Sequence, residues 1–344
     1  MRRLLADLGE PQRRYPAVHV VGTNGKTSTA LLAAELLRSA GLRTGAYVSP
    51  HVRAWSERIQ VDGADADLEG ALARVRPHAE GATQFEVLTA AALAEFAARE
   101  VDVAVVEAGL GGRLDATNVL AAPVAVLTNV ALDHTEVLGG TRDAIAREKL
   151  AVVAPGSTAI LGDPEWEPLA REAGAGRVEL PGSSNLALAV AAAEAHLGRP
   201  VDPHAADGLR IPGRLERRGE APLELWDGAH NLAGIGYLLP RLPDRRFTLV
   251  VSILADKNAD GMLRALTAVA GTLVATRSRS PRALAAEELA GLAAPHFARV
   301  EAVPDPHRAV ALARRLAGPG GAVLVTGSLY LLADLYNPYD ASGT

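Results

Sequence analysis

The run His19-Val-Val-Gly-Thr-Asn-Gly-Lys-Thr-Ser28 constrains this chain more than any other stretch. A short β-branched strand empties into a glycine-rich turn, and the turn opens a helix of alanines and leucines over about Thr27–Ala40. Gly22 and Gly25 let the backbone curl until successive N–H groups point at one spot. The helix adds its positive end, and Lys26 supplies a point charge. This is the build of a loop for the phosphates of a nucleoside triphosphate, with Gly22, Thr23, Asn24, Gly25, Lys26, Thr27 and Ser28 as its wall. The common pattern has four residues between its two glycines. Gly22 and Gly25 have two between them.

Composition bounds the rest. At 344 residues the chain exceeds what one core usually serves, so two domains are expected. A net charge of −5 gives no general attraction to nucleic acid or acidic membranes. The absence of cysteine excludes disulfides and thiolate-bound metals. No segment offers about 18 uninterrupted apolar residues. A cytoplasmic monomer with no nucleic-acid or membrane partner is the expectation.

Strand-like and helical runs alternate in the rhythm of a parallel sheet. Val18–Val21, Gly45–Val48, Val101–Val106, Val124–Val130 and Thr158–Leu161 read as buried strands, with helices at Val87–Glu100 and Thr141–Val153. A second series has strands at Leu223–Trp226, Phe247–Ser252, Leu273–Thr276, Arg299–Val303 and Ala322–Thr326. Its helices fall near Leu232–Leu239, Asp260–Val269, Ala285–Ala293 and His307–Leu316. The expected fold is α/β in two domains. The first, over 1–213, is a P-loop ATPase-like parallel sheet with helices on both faces. The second, over 221–344, is a smaller Rossmann-like α/β domain, and the polar stretch 214–220 is the expected linker.

Ligands of open α/β sheets sit beyond the carboxyl ends of the strands. Ser49, Glu107 and His134 each follow a strand at that edge. A triphosphate brings magnesium, which takes one or two carboxylates with phosphate oxygens and water. Glu107 suits it, and Ser49 is compatible. Spacing alone leaves His134 ambiguous, because imidazole is an unusual magnesium partner.

Beyond the loop stand Ser49-Pro-His, Gln84-Phe85-Glu86, Glu107-Ala-Gly-Leu-Gly-Gly-Arg-Leu-Asp-Ala-Thr-Asn118 and Asp133-His134. Glu148-Lys149, Pro212-Gly-Arg214, Asp227-Gly-Ala-His-Asn231, Asp256-Lys257 and Thr326-Gly-Ser-Leu-Tyr330 follow in order. From about His19 to Leu332 this series resembles the dihydrofolate synthase/folylpolyglutamate synthase family of the Mur ligase superfamily. The resemblance implies that ATP and one or two Mg2+ ions are used to join glutamate to a pterin or folate carboxylate, in folate biosynthesis and one-carbon metabolism. It implies that Gly25–Ser28, Asn185, Arg214 and Asp227 contact ATP, and that Ser49, Glu107 and His134 hold magnesium. Lys149 matches a lysine that is carbamylated in the family and can then ligate a second metal. Gln84, Phe85, Glu86, Leu114, Asp115 and Ala116 match the pterin pocket. His230 and Ser328 match positions tied to glutamate, and Lys26, Lys149 and His230 are the implied catalytic set. Three features depart from the family pattern: a short segment before the first strand, a compressed stretch between Lys149 and Asn185, and Thr27 where glycine is commoner.

The chemistry agrees. A carboxylate acylates an amine only after its oxygen becomes a leaving group, and attack on the γ-phosphate of ATP achieves this by forming an acyl phosphate. Fixed cations serve both that step and displacement of phosphate by the amine. Two other readings are a shortened paralogue that binds nucleotide or folate without turnover, and a Mur-type ligase for another carboxylate. The residues expected at phosphate and metal are all chemically competent, which argues against the first. Gly109-Leu-Gly-Gly-Arg-Leu-Asp115 argues against the second.

Overall fold

The computed structural model describes residues 1–337, and its backbone divides into two compact units between Leu209 and Arg210. The last residues of the domain expected over 221–344 lie outside the described residues.

Unit one contains β1 (Ala17–Val21), β2 (Thr44–Tyr47), β3 (Ile59–Val61), β4 (Ala64–Asp65), β5 (Val103–Glu107), β6 (Val124–Leu127), β7 (Thr158–Leu161) and β8 (Arg177–Glu179). They form one sheet in the order β4-β3-β2-β5-β1-β6-β7-β8. β1, β2 and β5 to β8 are parallel; β3 and β4 add antiparallel pairs at one edge. The apolar runs are continuous because both faces are covered. Alternation along the strands sends Ala17, Ala104, Val106, Ala125 and Leu127 to one face. There they pack with the helices Gln84–Ala98 and Arg142–Leu150. The helices Lys26–Ser39 and Asn185–Leu197 pack on each other and on β5, β2, β6 and β7. Alanine-rich faces such as Ala189, Ala192 and Ala193 let them approach closely.

Unit two contains β9 (Glu216–Glu220), β10 (Leu223–Trp226), β11 (Phe247–Val251), β12 (Ala270–Ala275), β13 (Arg299–Ala302) and β14 (Ala322–Thr326), in the order β13-β12-β11-β14-β10-β9. All neighbours are parallel except β9, which pairs antiparallel with β10. The stretch expected as a linker therefore largely forms an edge strand. Its polar residues fit that place, since charge on an edge discourages further pairing. Leu225, Leu249, Val251, Leu273 and Leu324 share one core with the helices Leu232–Leu238, Ala259–Leu266 and Ala286–Ala293. The helices Pro306–Ala317 and Leu329–Tyr336 also lie on this sheet.

Candidate functional site

The loop after β1 is shaped by two glycines that no other residue could replace easily. Gly22 has φ +151° and Gly25 has φ +82°. A Cβ on Gly22 would stand 1.9 Å from Thr128 Oγ1, and one on Gly25 would stand 2.5 Å from Asn185 Oδ1. The loop is held from behind by two residues just after β6. Asn129 accepts from the amides of Thr23 through its carbonyl and of Asn24 through Oδ1, both at 3.0 Å. Thr128 Oγ1 donates to the Asn24 carbonyl at 2.6 Å. The first turn of the helix Lys26–Ser39 has no intrahelical acceptor for its N–H groups, which suits an anion.

Glu107 ends β5 with its carboxylate buried. Thr27 Oγ1 donates to it at 2.9 Å, the Ser49 amide donates at 3.0 Å, and Lys26 Nζ stands 4.0 Å away. Lys26 Nζ also donates to the Thr23 carbonyl at 3.3 Å. One buried carboxylate, a hydroxyl and a lysine thus meet at the loop mouth. His134 adopts φ +51° and stands nearest to acidic neighbours in its own segment, Asp133 at 4.0 Å and Glu136 at 3.8 Å. Among the described residues no group of three or more His, Asp or Glu side chains is placed to hold a metal without help. Magnesium does not require such a cage, because phosphate oxygens and water complete its shell. Glu107 with the Thr27 hydroxyl is a hard-oxygen set that fits it.

Lys149 is buried on the helix Arg142–Leu150 and donates from Nζ to the Gly22 carbonyl at 2.9 Å. Burial, and then the charge of Lys26, lower its pKa to about 7. An ordinary helix lysine would be exposed and fully protonated; this one reaches the back of the loop.

Asp115 and Thr117 organise the loop over 109–118. Asp115 Oδ1 accepts from the amide and hydroxyl of Thr117 at 2.9 and 2.6 Å, and Oδ2 accepts from the Leu110 amide at 2.8 Å. Below them the buried His19 ring reaches Thr117 Oγ1 from Nε2 at 2.8 Å. A Cβ on Gly112 would meet the backbone oxygens of Lys149 and Glu148 at 2.6 and 2.7 Å. Gly112→Ala should therefore push the loop off its helix and destabilise the chain by about 1–3 kcal/mol. A urea midpoint unchanged from wild type would show that the backbone gives way freely.

The residues expected at the pterin pocket are less uniform. Phe85 lies over Gly109, where a Cβ would come within 2.5 Å of the ring, and its ring centroid is 6.1 Å from that of Tyr47. Leu114 is 91% exposed, and Gln84 is exposed at the start of its helix. Ala116 is half-buried. Glu86 closes a capping box with Thr83 and accepts from the Met1 ammonium at 2.6 Å. These contacts hold its carboxyl down at about 2, the ammonium contributing most. Glu86 thus serves the helix terminus here.

In unit two, Arg214, Asp227, His230 and Ser328 cluster beyond the carboxyl ends of β10 and β14. Asp227 accepts from the amides of Leu215 and Ala229, both at 2.9 Å. Burial raises its pKa, with the Arg214 charge opposing. A Cβ on Gly228 would stand 2.7 Å from Arg214 Nη1. His230 Nδ1 is 2.9 Å from the Gly228 carbonyl, and Ser328 Oγ caps the helix Leu329–Tyr336 by accepting from the Tyr330 amide at 3.1 Å.

Residues 20–194 match the Mur ligase middle domain, and 213–329 match the Mur ligase glutamate ligase domain. A curated relative, the dihydrofolate synthase/folylpolyglutamate synthase of Mycobacterium tuberculosis, is 36% identical over 84% of this chain and 76% of its own length. The structure of Escherichia coli FolC in complex with DHPP and ADP has a TM-score of 0.88 at 30% identity, covering 99% of this chain and 92% of that one. The bifunctional Yersinia pestis enzyme complexed with AMPPNP and a Mn ion has a TM-score of 0.85 at 29% identity, covering 97% and 92%.

Proposed function

The chain belongs to the dihydrofolate synthase/folylpolyglutamate synthase family of Mur-type ligases, and from that premise we propose how its own residues perform the reaction. It is an ATP-dependent ligase that joins L-glutamate to a folate-type carboxylate and releases ADP and phosphate. The carboxylate oxygen attacks the γ-phosphorus, ADP leaves, and the resulting acyl phosphate is opened by the glutamate amine with loss of phosphate. The observation that carries this reading is the meeting of Lys26, Thr27 and Glu107 at the mouth of a glycine loop.

Gly22–Ser28 and Asn185 receive the phosphates, with loop and helix amides aimed at them and Lys26 over the terminal one. In unit two, Arg214 and Asp227 are the residues proposed to serve ATP. Glu107, Ser49 and His134 would hold magnesium, which would neutralise charge on the phosphoryl oxygens. Gln84, Phe85 and Leu114–Ala116 line the site of the acid, and Glu86 supports it by capping its helix. His230 and Ser328 orient the incoming glutamate. Lys149 would be carbamylated: its neutral amine would add to carbon dioxide, giving an N-carboxylate and a proton, and the new carboxylate would serve a second metal. A pKa near 7 leaves a substantial neutral fraction for that addition. The working enzyme is a cytoplasmic monomer acting on small molecules without a nucleic-acid or membrane partner. No helix among the described residues is long and apolar enough to cross a membrane.

Magnesium titration tests the metal assignment. Glu107→Ala and His134→Ala should raise the half-saturating magnesium concentration for turnover roughly tenfold or more, while metal-free nucleotide binding changes less. The same half-saturation in wild type and both variants would make these residues structural.

A further inference from the structure

The β1 face that carries His19 is otherwise apolar. Ala17 on one side joins the cluster under the helix Gln84–Ala98, and Val21 on the other joins the cluster under Arg142–Leu150. A fully buried imidazole at this seam is unfavourable unless its polar atoms are used. Only one is: Nε2 meets Thr117, whereas Nδ1 is buried without a hydrogen-bond partner. A leucine would fill the seam with no orphaned nitrogen, so packing alone does not account for the residue.

The direction of the hydrogen bonds is determined by the donors present. An ionised carboxylate only accepts, so the Thr117 hydroxyl proton goes to Asp115, 2.6 Å away. The Thr117 oxygen can then only accept from His19 Nε2–H. Burial lowers the imidazole pKa to about 4, which keeps it in the neutral form this arrangement needs. Asp115 passes the restraint on to the Leu110 amide. A chain of hydrogen bonds therefore runs from the sheet interior, through Thr117, to both ends of the loop.

We propose that His19 is a positioning residue for the carboxylate substrate, fixing the loop over 109–118 from below through Thr117 and Asp115. This rests on the reading that the loop receives the folate-type acid. The nucleotide loop has further holds of its own, Thr128 and Asn129 behind it and Lys149 Nζ on the Gly22 carbonyl. His19 nevertheless lies on the strand that leads into that loop, so general damage to β1 would reach ATP as well. Selectivity for the acid is thus the mark of positioning.

Three variants test it. His19→Leu removes the donor, Thr117→Val removes the hydroxyl at nearly constant shape, and His19→Gln restores an N–H at similar reach. Phosphate release is measured with ATP or the acid varied, alongside hydrogen exchange of peptides spanning 109–118 and 20–28. In His19→Leu and Thr117→Val the KM for the acid should rise roughly tenfold, and amides of 109–118 should exchange faster. The KM for ATP and exchange over 20–28 should stay near wild type, and His19→Gln should recover most of the loss. Equal rises in both KM values, or a fall in kcat alone, would overturn the proposal. If His19→Leu does not fold, Thr117→Val decides by the same criteria. If the wild-type chain turns over no folate-type acid, the functional reading fails; exchange over 109–118 left unchanged by Thr117→Val overturns the inference by itself.

Discussion

Lys26→Ala lowers the rate of ligation by about 10²–10³-fold and leaves the fold intact. The magnitude is that of losing one fixed electrostatic contact to charge that develops in the transition state. Lys26 Nζ stands between the Thr23 carbonyl and Glu107, at 3.3 and 4.0 Å, so it is aimed across the loop mouth and supports no apolar core. Its removal leaves Glu107 with the Thr27 hydroxyl and the Ser49 amide, both of which stabilise a buried carboxylate. Thermal unfolding should therefore stay near wild type while turnover collapses. Near-normal turnover in this variant would remove the loop from the mechanism.

Lys149→Ala is expected to be as damaging, for a different reason. The wild-type amine is buried behind the loop, and its pKa near 7 suits addition to carbon dioxide. If the N-carboxylate is the working group, its loss costs about 10²-fold or more in rate. A small anion can partly replace it, so acetate or formate at high concentration should restore a measurable part of the activity to the alanine variant. Wild type should respond little to the same acids. A high-resolution map showing a bare ammonium at Lys149 in bicarbonate would sink the carbamate. An alanine variant that no short acid rescues would leave Lys149 only its hydrogen bond to Gly22.

The central parallel strands of both units are legible because they are apolar runs with helices between. The strands that escaped sequence reading are the short polar ones. β3 and β4 turn back at an edge, β8 is three residues long, and β9 carries Glu216, Arg217, Arg218 and Glu220. Hydrophobic periodicity has nothing to report in such segments, because an edge strand may face solvent on either side. The same signal extends over Val124–Val130, yet the strand ends at Leu127, and Thr128 and Asn129 leave the sheet to hold the phosphate loop. Their polarity within an apolar run was the available clue.

The site was legible in proportion to how local it is. Gly22, Gly25 and Lys26 declare themselves within a few residues, and Glu107 follows from its place after a strand. Lys149 reaches the loop through the tertiary fold, 127 residues from the Gly22 carbonyl it meets, and no spacing argument finds that. His19 shows the same limit. In sequence it is one polar residue in a β-branched run, and only the packed loop above it reveals Thr117 as its partner. Glu86 carries a second local signal, since the Thr83–Glu86 spacing is the pattern of a capping box, and that box is formed.

The most direct test of the account is whether phosphate release needs both halves of the amide. Purified chain is incubated with ATP, magnesium, L-glutamate and either dihydropteroate or a reduced folate. Phosphate should appear only when acid and amine are both present, matched mole for mole by a product heavier by one glutamate residue. Hydroxylamine in place of glutamate should intercept the acyl phosphate as a hydroxamate. Phosphate release indifferent to the folate-type acid, or none with any such acid while nucleotide still binds, would contradict the assignment of this chain as a glutamate ligase.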